Sequence, residues 1–236
     1  MLFRSPAMPE LDTIAKLATL TDVARALGDP KQPLGGPFDI GITADEKSPD
    51  DYVVEMTQGG LGMPNRDYYL REDEALSKTR EAYKKHIAKM LALAGFTDTD
   101  AKAQRIYDVE HKIAEAQWAN ADRRNRDKTY NPMTLSELKT AAPEFPWSEF
   151  VAATGVSAKK GDKDRIVIVA ENTAFPKLAK IFAETPVETW RDYMVYHYLT
   201  VNSAYLPRAF DEENFAFYGT SIEGNPKQLE IGRAHV

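Results

Sequence analysis

No cysteine occurs in the 236 residues. Disulfides cannot staple this chain, so a stable fold has to rest on a packed apolar core. Thiolate metal sites, cysteine nucleophiles and iron–sulfur clusters are excluded by the same absence. The apolar share is 43%, which is enough to build such a core and argues against intrinsic disorder. The formal net charge is −6. That balance disfavours a polyanion binder, and no nucleic-acid partner is expected. The longest aliphatic stretch, Ile166 to Ala170, is too short to span a bilayer, so no membrane segment is expected in this chain. Met1 to Ala7 lacks the apolar run of a signal peptide.

Periodicity predicts a mainly α chain with a few short strands. Phe38, Ile40 and Ile42 alternate with polar or small residues, as do Tyr52, Val54 and Met56, which predicts two paired strands. Ala44 to Asp51 reads as their hairpin loop. A glycine- and proline-rich turn, Gln58 to Arg66, leads to a long amphipathic helix with Leu76, Tyr83, Ile87, Met90 and Leu91 on one face, and Gly95 at its C-cap. A second long helix from about Asp100 is expected to carry Ile106, Val109, Ile113 and Trp118 and to end in the charged run Asp122 to Lys128. Short helices follow over Thr134–Ala141 and Trp147–Ala153, and a buried strand over Ile166–Ala170. Thr185-Pro186-Val187-Glu188 has the form of a capping box opening a further helix.

The side chains offer little chemistry of their own. The histidines are His86, His111, His197 and His235, and no H-E-x-x-H pair exists among them. His111 and Glu115 fall on one helix face, but two ligands are one short of a catalytic zinc site. A surface charge pair accounts for them better, so no metal ligand and no catalytic residue is assigned. Gly219-Thr220-Ser221 lacks the context of a nucleophile elbow and is expected to be a surface loop. Gly59-Gly60-Leu61-Gly62 does not match phosphate-loop spacing, and its glycines are read as turn residues. Arg123, Arg124, Arg126 and Lys128 are interrupted by Asp122 and Asp127, which suits an ion-paired helix end. Trp190, Tyr193, Tyr196 and Tyr198 are expected to pack the core.

The two ends stand apart. Leu2-Phe3-Arg4-Ser5 and Ile231 to Val236 read as translated sequencing-adapter DNA in the orientation expected at each end. The natural segment is then about 6–229, and His235 drops out of the chemistry.

Three stretches, in order, resemble the neprilysin-like zinc metallopeptidases, the family of neprilysin, endothelin-converting enzyme and bacterial oligopeptidases. They are GGLGMPNRDYYL (Gly59 to Leu70), RDKTYNPMTLSEL (Arg126 to Leu138), and the stretch from Thr185 to Gly219 with TPVETWRDYMVYHYL and FAFYG. Met63 and Asn65 depart from the commoner leucine and aspartate. The resemblance implies part of the N-terminal helical domain over 6–229, a lobe that helps to enclose peptide substrates. It also implies zinc in the full-length parent and none bound by this chain, because the H-E-x-x-H segment lies beyond the F-Y-G region. The catalytic lobe of the same polypeptide becomes the expected partner. A bacterial parent in the periplasm or outside the cell is expected, its signal or anchor lying outside this chain. Arg66, Asp67, Tyr68 and Tyr69 are expected to be structural, fixing the turn between strand and helix. The alternative is a stand-alone, non-catalytic helical binding module built on the same fold. A severed lobe should expose an apolar patch where its partner packs, and a true module should not.

Overall fold

A computed structural model describes residues 7–32 and 34–228; the adapter-like ends, with His235, lie outside them. Helices α1 (Met8–Ala15) and α2 (Leu20–Leu27) open the chain. They are separated by Thr19, whose hydroxyl accepts from the Asp22 amide while the Asp22 carboxylate accepts from the Thr19 amide. This reciprocal cap satisfies two amides that a helix start leaves without partners.

Strands β1 (Phe38–Asp45) and β2 (Ser48–Gln58) pair antiparallel, with only Glu46 and Lys47 between them. The expected eight-residue loop is therefore a short turn. The register shifts after Ala44, so that Asp45 faces Ser48 while Ala44 faces Tyr52. The intervening residues, Pro49 among them, bulge out of the ladder, where a missing N–H costs no pairing.

Short helix α3 (Asp67–Leu70) follows the glycine turn and leads into α4 (Glu74–Leu93) and α5 (Thr99–Ala116). Gly95 has φ +87°, and the Phe96 amide reaches back to the Leu91 carbonyl, closing α4 as expected. Helix α5 stops at Ala116, earlier than the sequence reading placed it. The charged run instead forms two separate turns, α6 (Asn120–Arg123) and α7 (Arg126–Thr129). The break is made by Gln117 and Trp118, which turn extended and bond to the end of β2 and the glycine turn.

Strand β3 (Pro132–Thr134), not anticipated, runs into α8 (Leu135–Ala141), capped by a Thr134–Glu137 box. Helix α9 (Trp147–Ala153) and a small ribbon of β4 (Lys159–Lys160) and β5 (Lys163–Asp164) precede β6 (Ile166–Val169). The main sheet has the order β1-β2-β6-β3, with β6 parallel to β2 and antiparallel to β3, so β1 is an outer strand.

Helices α10 (Phe175–Glu184), α11 (Val187–Val201) and α12 (Arg208–Asn214) complete the lobe, ending in a π-helix, Phe215–Ile222. The predicted capping box at Thr185 does not form. Pro186 is the N-cap of α11 with no side-chain bond, and the Thr185 hydroxyl donates to the Ile181 carbonyl. With α10 ending one residue earlier, Thr185 serves the old helix rather than the new one. The π-helix likewise replaces the expected loop at Gly219-Thr220-Ser221.

The core is aromatic. Phe38, Phe145, Trp147, Phe175, Phe182 and Trp190 are all buried; most pairs meet edge to face or tilted, and Trp147 stacks on Phe175. Each such side chain contributes about 2 kcal/mol of burial. The indole N–H groups are spent internally, Trp147 on the Ala142 carbonyl and Trp190 on the Phe182 carbonyl. The core face of β1 and β2 outruns this packing. Ile42 is 70% exposed and Tyr52 76% exposed, although they lie on the same face as buried Phe38, Val54 and Met56.

Candidate functional site

Two of the three family-like stretches, Gly59 to Leu70 and Thr185 to Gly219, converge on one buried carboxylate that sequence reasoning did not single out. Glu110, on α5, is 0% exposed. Its Oε2 accepts from the Tyr69 hydroxyl at 2.6 Å and from the Tyr83 hydroxyl at 2.8 Å. His197 on α11 pairs through Nε2 with Oε1 at 2.8 Å. A buried carboxylate is costly unless hydrogen-bonded and paired, and here three partners from three helices meet that need. Burial pushes the Tyr69 and Tyr83 hydroxyls well above the ordinary tyrosine range, and the Glu110 charge adds to it. Both therefore act as neutral donors.

The glycine turn fits around this knot. The Tyr69 hydroxyl also accepts from the Met63 amide at 3.0 Å. A Cβ at Gly62 would lie 1.8 Å from the Tyr83 hydroxyl, so only glycine lets the turn approach. The Gly62 carbonyl accepts from Tyr218 of the π-helix at 3.0 Å, and Tyr218 meets Tyr196 at 3.1 Å. Thus the GGLG turn, the R-D-Y-Y helix and the F-Y-G segment, distant in sequence, share one polar junction.

Of the four motif residues, Tyr69 stands inside the knot. Arg66 donates through Nε to the Ala114 carbonyl at 3.0 Å, tying the turn to α5. Tyr68 packs half-buried on the core, and its carbonyl accepts from Arg80. Asp67 lies in the first turn of α3, its amide donating to Asn65 Oδ1 at 2.9 Å.

A second strap holds the start of the glycine turn. The Gln58 amide donates to Glu171 Oε2 at 2.8 Å, and Arg123 closes on Glu171 Oε1 at 2.7 Å. Gln58 exchanges side-chain bonds with the Trp118 backbone, and Gln117 donates to the Gly59 carbonyl. The basic run carries ion pairs, Arg123 with Glu171, Arg126 with Glu46 and Lys128 with Asp122, but on two short turns rather than on the expected helix end. Beside this strap, Asp39 has its carboxyl pushed up to about 6. Crowding by protein is the main cause, Arg123 opposes it and Glu171 adds to it.

Each described histidine is engaged by one carboxylate: His86 with Glu213, His111 with Glu115 and His197 with Glu110. Among the described residues no group of three His, Asp or Glu side chains could hold a metal ion, so the residues do not fit a zinc centre. His86 stacks on Phe217, and burial lowers its pKa despite the Glu213 bond. The Ser221 hydroxyl is spent on the Ala216 carbonyl. Trp190, Tyr193 and Tyr196 are buried in the core, and Tyr198 is partly so.

One open pocket adjoins the knot. It has a volume of about 450 Å³ and lies between α2, β1 and α9, with His197 at its floor. Its walls include Leu27, Phe38, Ile40, Phe150 and Val156. Asp29 lines it, and among the described residues no lysine or arginine does; the Asp39 carboxylate lies on the other face of the hairpin, beside Gly59.

Fold and knot together define a mainly helical lobe whose buried polar groups join its elements. The model of peptidase family M13 matches residues 4–234, and the chain belongs to that family. It is 27% identical to endothelin-converting enzyme-like 1 of Rattus norvegicus over 198 residues, 83% of this chain and 25% of that protein. It superposes on the zinc metalloprotease Zmp1 of Mycobacterium tuberculosis, solved with an inhibitor, with a TM-score of 0.86 and 30% identity. That match covers 95% of this chain and 34% of Zmp1. PepO of Lactobacillus rhamnosis shares the fold, with a TM-score of 0.73 at 18% identity. The chain thus spans about a quarter of its curated relatives and about a third of these solved chains.

Proposed function

We propose that this chain is part of the N-terminal lobe of a zinc metalloendopeptidase, that it helps to enclose peptide substrates, and that it is inactive alone. The supporting observation is one of coverage. Almost the whole chain superposes on Zmp1, named as a zinc metalloprotease, yet it accounts for only 34% of that protein. The chemistry of the described residues agrees, since every described histidine is tied to a single carboxylate. Zinc and hydrolysis belong to the parent. The natural part of this lobe is about residues 6–229, and its partner is the catalytic part of the same polypeptide. The uncovered Tyr52 suits a lobe that packs against something more. A periplasmic or extracellular site for a bacterial parent goes with this reading; among the described residues no helix is long and apolar enough to cross a membrane.

Arg66, Asp67, Tyr68 and Tyr69 act structurally within it, holding the turn against α5. Asp67→Ala that leaves folding and stability unchanged would count against that role for Asp67. For the main reading, the purified chain is incubated with zinc and a quenched fluorescent peptide, and no hydrolysis is expected. Turnover that a chelator abolishes would contradict the reading, and so would a genomic stop codon directly after Val236.

A further inference from the structure

The outer strand β1 presents backbone groups that the fold leaves without partners. The Gly59 amide donates to the Pro37 carbonyl, and the Ala170 amide donates to the Met56 carbonyl. Antiparallel ladders alternate, so those two bonds set the direction of every residue in the hairpin. Asp39, Gly41 and Thr43 turn their amides and carbonyls toward β2. Phe38, Ile40, Ile42 and Ala44 turn theirs outward. Among the described residues, no backbone bond is made by the amides or carbonyls of Ile40 and Ile42.

Natural edges are usually guarded by lysine, proline or a cover. Strand β1 reads Phe-Asp-Ile-Gly-Ile-Thr-Ala-Asp and contains neither lysine nor proline. The 450 Å³ pocket opens along this same strand, with Ile40, Gly41 and Ile42 in its wall. Apolar side chains from α2, α9 and α11 face it: Leu27, Phe150 and Val201. Among the described residues Asp29 supplies its carboxylate and no lysine or arginine lines it, while the Asp39 carboxylate lies on the other face of the hairpin.

We infer that the outer edge of β1 and the pocket beside it form a strand-addition site for an extended, cationic peptide segment carrying a bulky apolar side chain. The unpaired amides and carbonyls call for an extended backbone, which would bond at Ile40 and Ile42. The pocket takes one apolar side chain from that strand. Asp29 favours a lysine or arginine in that segment, in keeping with the net charge of −6. The inference rests on reading this chain as a peptide-enclosing lobe and names where one such peptide would lie.

The test is fluorescence anisotropy with the whole chain. The probe is a fluorescein-labelled octapeptide alternating lysine and valine, with one central phenylalanine. Two controls replace its lysines by glutamate or N-methylate alternate amides. Ile42→Pro removes an outward N–H that makes no ladder bond, so circular dichroism and melting should stay near those of the parent chain. Binding should weaken about tenfold in Ile42→Pro and with the N-methylated peptide. The glutamate peptide should also bind more weakly. Binding that is indifferent to both Ile42→Pro and N-methylation overturns the inference, and so does the absence of binding. A concentration-dependent dimer that masks the edge overturns it in favour of a second copy. Should Ile42→Pro misfold, the N-methylated peptide still decides, because it leaves the protein untouched. Hydrolysis is not read in this experiment, so the peptidase-lobe reading stands or falls separately on the zinc assay.

Discussion

Two regions of this lobe meet at His197 and are built on opposite principles. On one side of the ring, Glu110 is sealed, and its two oxygens bond to Tyr69, Tyr83 and His197. On the other side, the β1 edge has no backbone partner at Ile40 and Ile42 among the described residues and faces an open pocket. Buried polar groups are tolerated only when satisfied, whereas exposed ones can wait for a partner. The difference teaches where this chain holds itself together and where it is prepared to hold something else. Two of the three family-like stretches have residues in the first region, Tyr69 and His197 among them.

The comparison breaks most completely if Glu110 can be removed cheaply. Glu110→Ala strands two tyrosine hydroxyls and one imidazole in the core, and it should cost roughly 3–5 kcal/mol. Urea unfolding followed by circular dichroism measures it. A loss below about 1 kcal/mol would mean that the knot is not what joins the helices.

A smaller loss is expected at the turn. Gly62→Ala drives a methyl toward the Tyr83 hydroxyl, which cannot retreat without leaving Glu110. The overpacking should cost roughly 1–3 kcal/mol. The same substitution at Gly41, in open space on the edge, should be far milder.

The smallest effect concerns pH at Asp39, beside the strap that holds the glycine turn. Asp39 has a folded pKa of about 6 against an ordinary 3.8. The folded state therefore takes up its proton first as pH falls. The Asp39 charge opposes folding fully above about pH 6, and that opposition fades between about 6 and 3.8. His86 acts in the other direction, since burial lowers its pKa and acid favours the unfolded chain. Subtracting the parent curve from that of Asp39→Asn isolates the first effect. The variant should gain most above pH 6, with the gain shrinking toward pH 4. A gain that is independent of pH would remove Asp39 from the account.

Much of the fold was legible because periodicity reports burial directly. The faces of α4 and α5, the β1–β2 pairing and the limits of α9 all follow from spacing. The failures are local competitions. Thr185 carried the letters of a capping box, but the Ile181 carbonyl took its hydroxyl first. Pro49 suggested a loop, while a register shift absorbed it into a strand. A π-helix has no periodic signature to read at Phe215–Ile222. Glu110 was missed because a glutamate in mid-helix resembles solvent-facing charge. A signal did exist: Glu110 lies four residues after Ile106 and three before Ile113, on the buried stripe of α5. Its partners, at positions 69, 83 and 197, could be assembled only by the fold.

Native-state hydrogen exchange tests the contrast most directly. The Met63 amide, bonded to the buried Tyr69 hydroxyl, should exchange only when the whole lobe unfolds. The Ile40 and Ile42 amides should exchange close to the rate of an open chain. A Met63 amide that exchanges through local opening, or an Ile42 amide protected in the free monomer, would contradict the division between a sealed knot and an open edge.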